Sequence, residues 1–416
     1  MKLPHPATCV IAAGVVAALH VAKLPPALPV LQQAMGVSLL QAGFLLSLVQ
    51  LAGMVLGLPA GLMIQRWGPR KSMLAGLLVL AGASVMGGSA STASALLLSR
   101  ALEGLGFLCV VLPAPGLLRV LVPPAQLSRV LGGWGAYMPL GTALALLVGP
   151  AVMLLADTAW GWRLWWWSLS ALALALAALV LLRVPADASA QVLLVSPEKP
   201  RDAGPSHWRA LLVLTLRSRG AWLVALSFAM YSGQWLAVVG FLPTIYAQAG
   251  AAPGATAWLT ALAAGVNIIG NLSAGRWLHR GASPVALLAT GFAAMTLGTL
   301  FAFGVEGHPW IQYLAVLAFS MMGGLIPGTL FSLAVRLAPD VQAVPTTIGW
   351  MQQWSAAGQF FGPPLVAWVA AQAGHWQWTW MVTGACSVVG LVLARQIQLL
   401  LKRACVRRPG ESGDLA

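Results

Sequence analysis

Apolar residues in this chain do not alternate with polar ones. They run on in blocks of roughly twenty or more residues, the length needed to cross a bilayer. Such blocks lie at about 7–30, 40–63, 73–92, 95–118, 130–154 and 164–182, then at about 220–243, 256–277, 284–304, 310–335, 344–371 and 377–401. In lipid every backbone N–H and C=O must be satisfied within its own segment, so each block predicts a helix. The pattern therefore predicts about twelve transmembrane helices joined by short polar turns. The longest polar connection is 183–219, "RVPADASAQVLLVSPEKPRDAGPSHWRALLVLTLRSR". It divides the chain into an N-terminal bundle of six helices (1–182) and a C-terminal bundle of six (220–401), with a tail at 402–416. Within this linker, "SHWRALLVLTLRSR" has the character of a short helix lying on the membrane surface.

Composition agrees. Of 416 residues, 59% are hydrophobic and only 8% are charged, against roughly 25% charged in a soluble domain. This excludes a soluble globule and predicts an all-α membrane protein. The start, "MKLPHPATCVIAAGVVAALHVAKLPPALPVL", resembles a signal peptide in its Lys and apolar run. It has no clear small-residue cleavage site, and many spans follow, so it reads as a retained first span. Cys9, Cys109, Cys386 and Cys405 are scattered; their spacing suits neither a metal site nor a disulfide framework. No phosphate-binding loop or cofactor motif is evident.

The net charge of +14 suggests nucleic acid only until its placement is considered. All 23 Lys and Arg residues except Lys23, Arg100 and Arg163 fall on one side of the topology. That is the bias of cytoplasmic loops, and it places both termini in the cytoplasm. Arg163 sits at an outer helix end; Lys23 and Arg100 lie inside spans.

The two halves also repeat. An offset of 213 maps Gly57 on Gly270, Gly68 on Gly281 and Ala145–Gly149–Pro150 on Gly358–Gly362–Pro363. Gly161, Trp165 and Trp167 map on Gly374, Trp378 and Trp380. Several matches in one register indicate two related six-helix units, a plan used by transporters.

Three stretches carry a family resemblance. "GLMIQRWGPRK" at 61–71 supplies Gly61, Arg66, Gly68, Arg70 and Lys71, with Gln65 where the pattern has Asp. "RALEGLG" at 100–106 supplies Arg100, Glu103, Gly104 and Gly106. With the Gly149–Pro150 ending of the fifth span, these resemble the loop, fourth-span and fifth-span signatures of the major facilitator superfamily. "GWRLWW", "GFLP" and "GPP" resemble its bacterial cyanate and nitroimidazole permeases. The resemblance implies a twelve-helix fold of two six-helix pseudo-repeats and transport by alternating access. It also implies that the loop motif locks one conformation; an uncharged Gln65 weakens that lock.

Arg100 and Glu103 are the only charged residues between Ala95 and Leu118. An ionisable side chain at mid-membrane is costly and normally marks a pathway. A spacing of three puts both on one helix face. Arg100 should lie about 8 Å deep and Glu103 one turn deeper. Lys23 and His20 reach matching depths on the first span. The resemblance implies that the first and fourth spans both line the central cavity, so these four residues can meet there.

Lys23 and Arg100 then form an anion-binding pair, and Glu103 or His20 carries a proton. The alternative is a neutral Arg100–Glu103 pair that anchors the fourth span while Lys23 extends its amine outward. In the second half Tyr231 and Gln234 are substrate-contact candidates, joined by Trp235, Gln352, Gln353 and Gln359. Asn267 and Asn271 read as interhelical glue.

The sequence thus predicts a monomeric inner-membrane transporter of a small anionic solute, coupled to protons, with membrane lipids around it and no cofactor, metal or nucleic-acid partner. The alternative transport reading is proton-driven export of lipophilic compounds. A membrane enzyme or sensor is a third class, without a motif to support it.

Overall fold

The computed structural model of the chain describes residues 5–157, 160–186 and 205–406. Inside these helices the side chains of 61–63, 65, 66, 124, 125, 128, 129, 132, 205–208 and 404–406 are outside the described set. Gly61, Gln65 and Arg66 of the loop motif, much of the linker and the tail beyond 406 therefore fall outside it.

The described chain is a succession of helices. The first span is Pro6–Ala22 continued by Leu24–Met35. The second is Leu39–Ser47, a single 3-10 turn at Leu48–Gln50, and Leu51–Trp67. The third is Pro69–Gly88, and the fourth is Ala93–Val111 with Ala114–Leu121. The fifth is Pro124–Trp134 with Tyr137–Met153, and the sixth is Gly161–Arg183. A short helix, Pro205–Arg217, precedes the seventh span, Arg219–Gln248. The eighth is Pro253–Gly265 with Asn267–His279, and the ninth is Pro284–Gly304. The tenth is Pro309–Gly323 with Leu325–Leu337, the eleventh Val344–Ala373 and the twelfth Thr379–Val406.

Ten of these stretches have the length and apolar character to cross a membrane. The other two are the fifth and eleventh. Tyr137–Met153 is apolar but only 17 residues long. Val344–Ala373 has the length, 30 residues, but carries Gln352, Gln353 and Gln359, which lower its apolar character.

Several spans are broken where the sequence interrupts the hydrogen-bond ladder. Pro25 and Pro26 have no N–H, so the carbonyls four residues back, Val21 and Ala22, lose their intrahelical donors; the first span breaks there at Lys23. Pairs of spans turn back on glycines that occupy positive φ. Gly68 (φ 97°) joins the second span to the third, and its repeat mate Gly281 (φ 86°) joins the eighth to the ninth. An L side chain is strained there.

The interior holds two packed clusters. One gathers the first six spans around Trp162, Trp166, Leu24 and Leu28. The other gathers the last six around Phe292, Phe319, Leu288 and Ile326. Residues cross between them: Ala237, Phe241, Val366 and Ala367 belong to the first, and Leu146 to the second.

The second and eleventh spans form a long seam between the halves. A Cβ on Gly43 would lie 2.7 Å from Pro364 Cα. Further along, Gln50 Nε2 donates to Gln359 Oε1 at 3.0 Å. Near the other end, Gln353 accepts from Leu58 N–H at 3.1 Å and donates to the Met54 carbonyl at 2.8 Å. Leu58 N–H and Met54 C=O are donor and acceptor of one rung of the helix ladder, beside Pro59. The Gln353 amide therefore engages a helix rung at a proline-weakened point.

Candidate functional site

The fourth span approaches its neighbours very closely because of its motif glycines. A Cβ at Gly104 would lie 2.6 Å from the Val49 carbonyl oxygen, and one at Gly106 2.8 Å from that of Gly76. This proximity lets Arg100, one turn away, reach the breaks in the first and second spans.

Arg100 has no exposed surface. Its Nη2 donates to the Val21 carbonyl at 2.9 Å, the group that Pro25 leaves without a helical donor. Its Nη1 donates to the His20 carbonyl at 2.6 Å, and its Nε to the Leu45 carbonyl at 3.0 Å, just before the 3-10 turn. Nη1 also donates to Glu103 Oε2 at 2.5 Å. A planar guanidinium with five fixed donors suits this task; an ammonium does not.

Glu103 accepts from both cations. Its second oxygen, Oε1, takes a hydrogen bond and ion pair from Lys23 Nζ. Lys23 is fully buried and also donates to Ser84 Oγ at 2.7 Å. Its Nζ lies 4.8 Å from the centroid of the Trp166 ring, a favourable position for a cation. The alternative in which Lys23 extends outward does not match this arrangement: next to the proline break its amine points inward, onto Glu103. Ser84 Oγ in turn donates a hydrogen bond to the Trp166 carbonyl at 2.8 Å. Trp165 Nε1 donates to the Lys23 carbonyl at 3.1 Å, so the sixth span closes the break from the other side.

The structure thus brings Lys23, Arg100 and Glu103 into one buried cluster of two cations and one carboxylate. His20 meets it through its backbone. Its ring is buried, with Nδ1 against the Val16 carbonyl at 2.9 Å and Nε2 without a hydrogen-bond partner. Tyr231 and Gln234 are also buried, and their bonds stay in the second half. Asn267 Nδ2 donates to Tyr231 Oη at 3.0 Å and to the Ser320 carbonyl at 2.7 Å. Trp235 Nε1 donates to Ser320 Oγ at 3.0 Å. Gln234 donates to the Met230 carbonyl at 2.8 Å and accepts from Ser387 Oγ at 3.1 Å.

In the loop motif, Gly68 makes the turn and Arg70 Nη2 donates to the Leu181 carbonyl at 2.6 Å. That bond caps the end of the sixth span, where carbonyls lack helical donors. Lys71 is exposed in the first turn of the third span.

Reading the sequence for isolated charges missed Ser84, Trp166, Gln50 and the carbonyl partners of Arg100. One signal was available: "KLPP" at 23–26 puts two prolines inside an apolar span and so predicts free carbonyls before them. Ser84 and Trp166 carry no such mark.

The family model of the Major Facilitator Superfamily matches residues 10–355 and 237–403. The chain belongs to the Major Facilitator Superfamily. It is a multi-pass membrane transporter of that superfamily. Among relatives it is similar to the cyanate transport protein CynX of Escherichia coli (strain K12), 26% identical over 397 residues, 92% of this chain and 93% of that one. A 158-residue stretch, 38% of this chain and 29% of the relative, is 30% identical to the tetracenomycin C resistance and export protein of Streptomyces glaucescens. Among solved structures it resembles the superfamily's proton:xylose symporter XylE, at a TM-score of 0.72, 15% identity and 94% coverage of each chain. At that identity the likeness is one of fold.

Proposed function

We propose that this transporter carries a small anionic solute across the bacterial inner membrane together with protons, by alternating access. The observation that carries the proposal is Glu103, a buried carboxylate held between two buried cations, Lys23 and Arg100. With His20 neutral, the cluster has one positive charge in excess. Glu103 acts as an internal anion occupying the place of the substrate. Its protonation releases Lys23 from the ion pair and leaves two cations to attract an incoming anion. The proton and the anion thus enter together, and the cluster keeps the same net charge in a low-dielectric interior. Buried cations are expensive, which disfavours binding the anion without the proton or the proton without the anion.

His20, with Nε2 unpartnered beside this cluster, passes the proton to and from Glu103. Tyr231 and Gln234 contribute the second half's contacts to the solute when the bundles 1–182 and 220–401 rock about the seam. The loop motif 61–71 lies on the cytoplasmic side with both termini, and the transporter works as a monomer. The similarity to a cyanate transport protein over nearly the full length of both chains supports a small anion as cargo.

The test is uptake into proteoliposomes under an imposed proton gradient, with cyanate and small carboxylates as candidate solutes. Expected is accumulation of one such anion that collapses with a protonophore. In Glu103→Gln, the gradient should no longer drive uptake. The second reading, export of lipophilic compounds, is favoured by the similarity to an export protein. Proton-driven movement of such compounds, with no anion transported, would establish it in place of the first.

A further inference from the structure

Far from this cluster, a small cleft of about 70 Å³ lies between the start of the seventh span and the end of the twelfth, lined by Arg219, Gln396, Leu399, Leu400 and Arg403. Four of these residues share one face of the twelfth span, at intervals of three, four and seven. Gln396 Oε1 accepts from Arg219 Nη2 at 2.9 Å, which holds that guanidinium at the rim. Arg403 is exposed and makes no ion pair or hydrogen bond with the described residues. Among the described residues no carboxylate lines the cleft.

The cleft is also at the start of a 30-residue helix. Ser218 caps that helix by accepting from Ala221 N–H at 3.3 Å. The N–H groups of Arg219 and Gly220 precede the helical ladder and carry the positive end of its dipole. Arg217 and Lys402 stand one or two residues from the lining arginines.

We propose that this cleft binds the phosphate of an anionic phospholipid headgroup. Two guanidinium groups facing one small opening suit a phosphate, which each can hold with paired N–H donors. The choice of a lipid over a soluble anion follows from position. The twelfth span is weakly covered by protein, with only 28% of its most apolar stretch buried. Leu399 at the cleft is 39% exposed and lies among the exposed cations Arg395, Lys402 and Arg403 near the end of the span. That is the boundary between hydrocarbon and headgroups, so a bound lipid places its phosphate on the arginines and its glycerol and chains along Leu399. Basic clefts between spans are known to favour such headgroups. A lipid held there fastens the first helix of the second bundle to its last.

The experiment is a thermal melt of the delipidated full-length protein in detergent, with added phosphatidylglycerol, phosphatidylcholine or inorganic phosphate. A ligand bound to the folded state raises Tm. Phosphatidylglycerol should raise Tm, and phosphatidylcholine and inorganic phosphate should not. The double variant R219Q/R403Q should lose at least half of the rise. The control R276Q/R280Q, which removes the same charge elsewhere, should keep it. Arg403→Gln alone breaks no bond within the described chain and gives a second variant if the double one does not fold. An equal rise with phosphatidylcholine or inorganic phosphate would overturn the proposal, and so would an undiminished rise in R219Q/R403Q or R403Q.

Discussion

Arg100 and Glu103, one turn apart on the fourth span, are bonded to each other at 2.5 Å and have no exposed surface. The pair is also fastened to the first span, through the His20 and Val21 carbonyls and Lys23, and to the second, through the Leu45 carbonyl. Any solute that engages these residues must therefore alter how three spans are held together. Under the proposed function, that geometry would couple binding to conformational change.

Removing members of the cluster should have unequal costs. Lys23→Met leaves a neutral Arg100–Glu103 pair, whereas Glu103→Gln leaves two buried cations without compensation. Breaking a buried pair in that way costs about 3–5 kcal/mol. Melting in detergent should show a much larger loss for E103Q than for K23M, and K23M/E103Q should recover part of it. R100K should be nearly as damaging as R100A, because an ammonium cannot serve three carbonyls and a carboxylate with one planar fork.

Gly104 should tolerate no side chain. A Cβ there meets Val49 backbone at 2.6 Å, and backbone cannot swing aside. Gly104→Ala should lower Tm and transport together. Gly116→Ala, where nothing lies within 4 Å, should be neutral or stabilising by up to about 1 kcal/mol, since Ala is the better helix former.

Gln353 pins the eleventh span to the second through two hydrogen bonds. Interhelical hydrogen bonds in membranes average about 0.6 kcal/mol each, so Gln353→Ala should favour separation of this end of the seam by about 1–2 kcal/mol, roughly a five- to thirtyfold change in the equilibrium. A cysteine at Leu58, which touches the Gly349 region, reports it in a chain with its native cysteines replaced. Thiol labelling at position 58 should be faster in Q353A. An unchanged rate would show that the amide does not hold the seam.

In the second half, Asn267 connects Tyr231 with Ser320. Asn267→Ala leaves the buried Tyr231 hydroxyl without its partner, at about 1–3 kcal/mol for a group stranded in that way, while the Ser320 carbonyl keeps the Gly324 N–H. Tyr231→Phe removes the hydroxyl itself and should cost less. Melting curves of both variants test the order.

The helices, their approximate ends and the family were readable in the sequence, because a bilayer leaves the backbone one local solution and demands long apolar runs. The isolation of Arg100 and Glu103 in such a run marked them as well, since charge is too costly there to be incidental. The turn glycines Gly68 and Gly281 were visible as a repeat, and their positive φ follows from the same turn being built twice.

What only the tertiary structure decided is who meets whom. Lys23 turns inward because a proline pair breaks its helix and the sixth span supplies Trp166 beneath its amine. Arg100 finds three carbonyls beside the breaks of two other spans, one of them, Val21, left without a helical donor by Pro25. Gln353 and Leu58 are 295 residues apart, and no local pattern specifies that contact. Local sequence dictates secondary structure through the solvent it must satisfy. The partners of a buried side chain depend on how separate helices pack, which is settled by close approach at glycines and by the need to satisfy every buried polar group at once.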